Sequence, residues 1–170
     1  NVYLNEGKID DNLGDAQVVS IYKKGDSRIM SNYRPTSLLN IIYKIVAKCI
    51  QMRISQGIDK HIDPLQLGFR TKRSTAQSIF ITRRIQDFHE AAAAPFHTVL
   101  LDWETGFDKI DQDKLMEALT RLKLPPKIKG LVKSIYTDPK FRVKTNEGAS
   151  EWKQQNTGIR QGCPLSPYLF

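Results

Sequence analysis

The residues in this 170-residue chain with chemical potential are acids, glycines and cations at particular spacings. Asp102 closes the run Thr98-Val99-Leu100-Leu101, with Trp103 and Glu104 directly after it and Asp108 further on. An apolar, partly β-branched run reads as a buried strand that delivers the acid at its far end. A carboxylate beside such a strand costs several kcal/mol unless something cationic meets it. Two readings satisfy that need: an ion pair with one of the many Lys or Arg side chains, or a metal ligand in a phosphoryl-transfer site. Glu104 alternates to the other strand face. Asp108, just past the strand, reads as a cap for the helix that follows.

The cations and glycines form three further groups. Lys23-Lys24-Gly25-Asp26 is a basic turn that suits either phosphates or plain solvent. Gln66 to Thr75 is a connector carrying Arg70, Lys72 and Arg73, a basic cluster read either as solvated or as facing a nucleic-acid backbone. Gly158-Ile159-Arg160-Gln161-Gly162-Cys163-Pro164-Leu165-Ser166-Pro167 is a glycine-punctuated loop leading into Tyr168-Leu169-Phe170.

The elements that must position these groups follow from periodicity. Residues 1–15 are polar and read as irregular. Ala16–Tyr22 is β-prone, and a second extended piece from Ile29 to Thr36 pairs with it across the basic turn, with Pro35 holding Arg34 in an extended conformation. Ser37 reads as the cap of a helix with Leu38, Ile41, Ile42, Ile45, Val46, Cys49 and Ile50 on its apolar side and Lys44, Lys48 and Arg53 opposite. Ser74 or Thr75 caps another helix, which runs to about Ala94 before Pro95. Asp111 or Gln112 opens a helix with Leu115, Leu119 and Leu122 in register. Pro125-Pro126 begins one with Ile128, Leu131, Val132, Ile135 and Tyr136 on one side. Phe141–Lys144 and Glu151–Thr157 read as strands around the turn Asn146-Glu147-Gly148. The sum is an α+β, split βαβ-like pattern.

Composition narrows the partners. Lys plus Arg outnumber Asp plus Glu by 26 to 18, a formal charge of +8, which favours a polyanion such as nucleic acid. No apolar run approaches the ~20 residues of a membrane span, so no membrane partner is expected. Cys49 and Cys163 make neither a disulfide framework nor a zinc site, and His61, His89 and His97 lack ligand spacing. The setting read from this is reducing and intracellular, with nucleus and cytoplasm both open. The absence of an initiator Met and the ending at Phe170 point to a fragment.

Four blocks together resemble the reverse transcriptase domain of non-LTR, LINE-type retrotransposons. They are Ile21-Tyr22-Lys23-Lys24-Gly25-Asp26 running on to Asn32-Tyr33-Arg34-Pro35-Thr36-Ser37-Leu38-Leu39, then Gln66-Leu67-Gly68-Phe69-Arg70, then Leu101 to Asp108, and last Gly158 to Phe170. The resemblance implies right-hand polymerase fingers (1–95) and a partial palm (96–170, with 113–157 packing with the fingers), truncated before the second catalytic strand. It implies RNA-directed DNA synthesis with an RNA template, a DNA primer and dNTP, using Mg²⁺ or alternatively Mn²⁺ at two sites ~3.5–4 Å apart. The fragment alone is expected to be inactive.

The same resemblance assigns roles residue by residue. Asp102 matches the first metal-binding acid, and the Trp103 carbonyl supplies a second oxygen. Phe107 matches an aromatic gate that excludes a 2′ hydroxyl by a clash. Arg34 matches a fingers arginine that forks onto the triphosphate, joined by Lys23 or Lys24. Gln161 and Gly162 lie against the nucleotide, the glycine permitting close approach. Arg70, Lys72 and Arg73 take the template backbone. Gly106, Thr105 and Thr36 depart from the residues usual in the family (Ala, Lys and Ile). They leave open the alternative of a non-catalytic nucleic-acid-binding or scaffold domain that keeps the fold.

Overall fold

The computed structural model describes residues 2–10 and 12–170; the expectation of irregular structure for 1–15 therefore leaves Asn1 and Asp11 outside the described residues. The chain forms two compact units, one of residues 1–57 and 105–170, the other of residues 58–104.

The first unit is built on a four-stranded mixed sheet. Strand β1 (Ala16–Tyr22) pairs antiparallel with β2 (Tyr33–Leu39), Ala16 opposite Leu39 and Tyr22 opposite Tyr33. On its other side β1 runs parallel to β3 (Lys140–Val143), which pairs antiparallel with β4 (Lys153–Gln154). Alternation sorts the side chains. Ala16, Ser37 and Leu39 are buried on the inner face, while Arg34, Leu38 and Ile21 share the outer one and are exposed. The second strand thus begins and ends later than expected. Met30–Asn32 forms a 3₁₀ turn, and Ser37-Leu38-Leu39 is claimed by the ladder to β1.

Ser37 therefore caps nothing. Helix α2 (Ile41–Ile58) starts after Asn40, whose Oδ1 accepts from the Ile42 N–H at 2.8 Å. Its buried line is Tyr43, Ala47, Ile50, Ile54 and Ile58; of the side expected inside, Ile50 is buried as expected, whereas Ile41, Ile42 and Ile45 are exposed. Apolar residues occupy most of the circumference outside the side of Lys44, Lys48 and Ser55, and periodicity alone could not choose which part of that wide apolar arc faces inward. A short helix α1 (Val2–Glu6) stands where irregular chain was expected and packs against α5 (Pro126–Ile135).

Helices α4 (Gln112–Arg121) and α5 bury Leu115 and Leu119, and Ile128, Leu131, Val132 and Ile135, whereas Leu122, expected in the α4 stripe, stands past the helix end and is 44% exposed. Asp111 caps α4 by accepting from the N–H groups of Asp113 and Lys114. A last short helix, α6 (Ser166–Leu169), follows the glycine-punctuated loop.

In the second unit, helix α3 (Thr75–Ala91) opens on a capping box in which the Ser74 N–H donates to Gln77 Oε1 at 3.1 Å. The helix buries none of its residues. The strand expected over Thr98–Leu101 is not formed: no ladder includes these residues, and Leu100 and Leu101 are 91% and 92% exposed. A β-branched run becomes a strand only when a neighbour accepts its hydrogen bonds and covers its side chains, and no described residue does so. The alternation argument for Glu104 lapses with it.

Candidate functional site

The glycine-punctuated loop is fixed by backbone contacts that only glycine permits. Gly158 has φ +80°, and a Cβ there would stand 2.7 Å from the Asp108 carbonyl oxygen. Gly162 has φ +103°, and a Cβ would stand 3.0 Å from the Ser37 carbonyl oxygen. The N–H groups of Gly158 and Ile159 donate to the carbonyls of Ile110 and Phe107, each at 2.7 Å. On the other side of the loop the Ser37 N–H donates to the Gln161 carbonyl at 2.8 Å. The loop is thus laced between the 3₁₀ turn Gly106–Lys109 and the free edge of β2.

Side chains complete the junction. Gln161 Nε2 donates to both carboxylate oxygens of half-buried Asp108, at 3.1 Å each. Asp108 therefore is not the cap of α4; Asp111, three residues on, has that place. A recess of about 330 Å³ opens here, lined among others by Val18, Pro35, Ser37, Phe141, Asp108 and Gln161. The Phe107 ring, half-buried, stacks on Phe170 with centroids 4.9 Å apart and planes 18° apart. Gly106 opens a 3₁₀ turn.

Lys23 and Lys24 lie exposed at the β1–β2 turn, where the Lys23 N–H donates to the Asn32 carbonyl at 2.8 Å and closes the hairpin. Arg34 is exposed on the outer sheet face, opposite to the recess that Pro35 and Ser37 line. Among the described residues it makes no hydrogen bond or ion pair, so its guanidinium is open to an anion.

In the second unit Asp102 and Trp103 lie in an extended, exposed segment, Trp103 being 78% exposed. Among the described residues Asp102 has no ion pair, so the cationic partner considered for it is not formed. Arg70 is different. Its side chain is 8% exposed, and its guanidinium donates to the Asp59 carboxylate at 2.9 and 3.1 Å and to the carbonyls of Asp59, Asp63 and Gln66. Arg70 folds the connector, and the exposed cations beside it are Lys72 and Arg73. The hydrogen bond from Arg70 holds the Asp59 carboxyl below its ordinary range.

The sequence reading passed over Arg160. It is 1% exposed, its Nε and both terminal nitrogens lack hydrogen-bond partners among the described residues, and its guanidinium lies 5.6 Å from the Tyr43 ring centroid. The Tyr43 hydroxyl is 3.4 Å from Cys163 Sγ, and burial pushes that hydroxyl's pKa well up. No local signal marked it: Arg160 lies in a loop rather than a strand, and its burial follows from packing between distant segments. Cys49 and Cys163 are free thiols. Among the described residues no helix is long and apolar enough to cross a membrane, and no group of three or more His, Cys, Asp or Glu converges as a metal site.

A family model for reverse transcriptase (RNA-dependent DNA polymerase) matches residues 21–170. A Xenopus laevis protein described as the transposon TX1 uncharacterized 149 kDa protein is 34% identical over 87% of the chain and 11% of its own length. The RNA-directed DNA polymerase from the mobile element jockey of Drosophila melanogaster is 30% identical over 100% of the chain and 19% of its own length. A retrovirus-related Pol polyprotein from a type-1 retrotransposable element R2 of Nasonia vitripennis is 23% identical over 100% of the chain and 16% of its own length. The chain belongs to the reverse transcriptase family, and its relatives are those of non-LTR retrotransposons. It spans less than a fifth of the length of each of these three relatives.

Proposed function

We propose that the chain contributes the fingers-like region (1–95) and part of the palm (96–170) of an RNA-directed DNA polymerase, which copies an RNA template onto a DNA primer from dNTP. The observation that carries the reading is the convergence of three blocks distant in sequence. The loop of Gly158 to Gly162 is laced to Phe107 and Asp108 on one side and to Ser37 on the other. A nucleotidyl-transfer site needs such rigid close approach of backbone to substrate.

Within this reading Arg34 and one of Lys23 and Lys24 meet the triphosphate, the planar fork of Arg34 setting its orientation. Phe107 bounds the sugar, and its stack on Phe170 holds the ring in one plane. Gln161, held by Asp108, presents its remaining amide oxygen, and Gly162 lets the backbone reach the nucleotide. Lys72 and Arg73 take the template backbone from a connector that Arg70 folds. Asp102 and the Trp103 carbonyl are hard oxygen donors, a set that fits Mg²⁺ (or Mn²⁺), which is held by one or two carboxylates with substrate phosphates completing the shell. When bound in a two-metal site, such ions lower the pKa of the primer 3′ hydroxyl and offset charge on the leaving pyrophosphate. The unpaired, exposed Asp102 carboxylate keeps both oxygens available for that shell.

The test is primer extension on an RNA template by the protein that carries this chain, with Asp102→Asn as the variant. Incorporation should fall about a hundredfold or more while RNA affinity is retained. Equal incorporation by variant and wild type would overturn the polymerase reading and favour a nucleic-acid-binding scaffold.

A further inference from the structure

The outer face of the sheet carries a second feature, at the end away from the β1–β2 turn. Arg142 follows the last β3–β4 pair, Phe141 opposite Lys153, and its guanidinium lies 4.8 Å from the centroid of the Trp152 ring. Arg142 also stands beside Gln17 on β1, two residues from Val19 and four from Ile21, the partner of Arg34. Arg34, Arg142 and Trp152 therefore share one sheet face, with Arg34 and Arg142 on the order of 15 Å apart by strand spacing and rise.

Arg142 makes no hydrogen bond or ion pair among the described residues, and its Nε is buried without a partner. Trp152 is 44% exposed although Arg142 covers part of it. Beside the indole lies an open recess of about 630 Å³ lined by Asn12, Asp15, Lys140, Trp152, Lys153 and Gln154. Lys140 is 3.5 Å from Asp138, a loose and exposed pair that leaves its ammonium open to a phosphate.

We infer that this recess binds an unpaired base of a single-stranded nucleic acid, stacked on Trp152, with its flanking phosphates on Arg142 and Lys140. An indole with one accessible surface is a stacking platform that any base fits, and cations around it track a backbone. Asp15, Asn12 and Gln154 offer acceptors and donors to a base edge. The volume exceeds that of one base and suits a strand passing through it. The inference rests on the reading above in one respect, that the chain meets a nucleic acid.

The experiment is fluorescence-anisotropy titration of the full 170-residue chain with a labelled mixed-sequence RNA oligomer of about 12 nucleotides. A DNA oligomer of the same sequence and an abasic oligomer form parallel arms. Trp152→Leu should weaken RNA binding about tenfold, Trp152→Phe should stay within about threefold because a ring remains, and circular dichroism should show both folded. The abasic oligomer should bind wild type and Trp152→Leu alike. A loss shared by RNA and DNA marks a platform for any unpaired base, and a loss confined to RNA assigns it to the template strand. Unchanged binding by Trp152→Leu, or an equal loss on the abasic oligomer, would overturn the inference. Neither result bears on Asp102 and incorporation, so the two readings fail separately.

Discussion

Gln161 donates through one amide nitrogen to both carboxylate oxygens of Asp108, at 3.1 Å each, joining residues 53 positions apart. The pair fastens the loop of Gly158 to Gly162 to the turn that holds Phe107, and the Ser37 N–H fastens the same residue's carbonyl to β2. Gln161 is thus a positioning residue held at side chain and backbone. Its amide oxygen is what remains for a substrate.

That double hold predicts coupling. Gln161→Ala and Asp108→Ala should each destabilise, and the double variant should cost less than their sum by about 1–2 kcal/mol. Denaturant titration of the four proteins measures it. Strict additivity would mean that the hydrogen bonds contribute nothing in solution.

The two loop glycines predict strain of opposite consequence to a third. Gly158→Ala and Gly162→Ala force a Cβ against the carbonyls of Asp108 and Ser37 at positive φ, and each should cost about 1–3 kcal/mol. Gly57 lies in α2 with nothing within 4 Å of its Cβ position, so Gly57→Ala should stabilise by about 0.5–1 kcal/mol. Thermal unfolding of the three variants reads the sign directly.

Helix α2 supplies a prediction that runs against simple hydrophobicity. Ile50 is 1% exposed and Ile45 is 60% exposed, although both are isoleucines on one helix. Ile50→Ala should cost about 2–4 kcal/mol, and Ile45→Ser should stay within about 0.5 kcal/mol of wild type. A large loss at Ile45 would mean that its face is covered in solution.

The same contrast shows how much was legible beforehand. Ala16–Tyr22 is rich in β-forming residues and its bounds were readable to the residue, and the stripes of α4 and α5 named most of their buried residues, Leu122 excepted. In α2 the apolar residues cover a wide arc of the helix, and Thr98–Leu101 has β-forming residues without a described neighbour to pair with. For α2 the deciding packing comes from elements far along the chain, and for Thr98–Leu101 no described residue supplies a partner. The site divides likewise: the glycines of the Gly158–Gly162 loop stood out, while the meeting of Gln161 with Asp108 and the burial of Arg160 depend on packing that no local spacing encodes.

The Asp59–Arg70 pair predicts an acid dependence confined to the connector. Arg70 lowers the Asp59 pKa in the folded state, so the unfolded chain binds that proton more readily. The contribution is complete above the ordinary aspartate value, about 3.9, and is lost as pH falls through the lowered folded value. Hydrogen exchange in residues 58–75 should accelerate over that acid window in wild type. Asp59→Asn should remove the dependence, and in Arg70→Gln the Asp59 carboxyl should titrate at its ordinary value by NMR.

Arg160 gives the most demanding case. A guanidinium 1% exposed with three unpartnered nitrogens carries a desolvation cost that the Tyr43 ring offsets only in part. Asp10, Asp15 and Asp138 line the same cavity of about 230 Å³, yet none lies within ion-pair distance of Arg160. If no carboxylate compensates the charge, Arg160→Met, of similar length and apolar, should fold at least as stably as wild type and gain about 1 kcal/mol or more. Were a carboxylate from that cavity to close on Arg160 in solution, the substitution would instead strand a buried acid and cost about 3–5 kcal/mol. Denaturant midpoints of Arg160→Met, Asp15→Asn and the double variant separate the two. A gain at Arg160 with no coupling to Asp15 establishes an uncompensated buried cation immediately beside Gln161, and a strongly coupled loss replaces it with an ion pair.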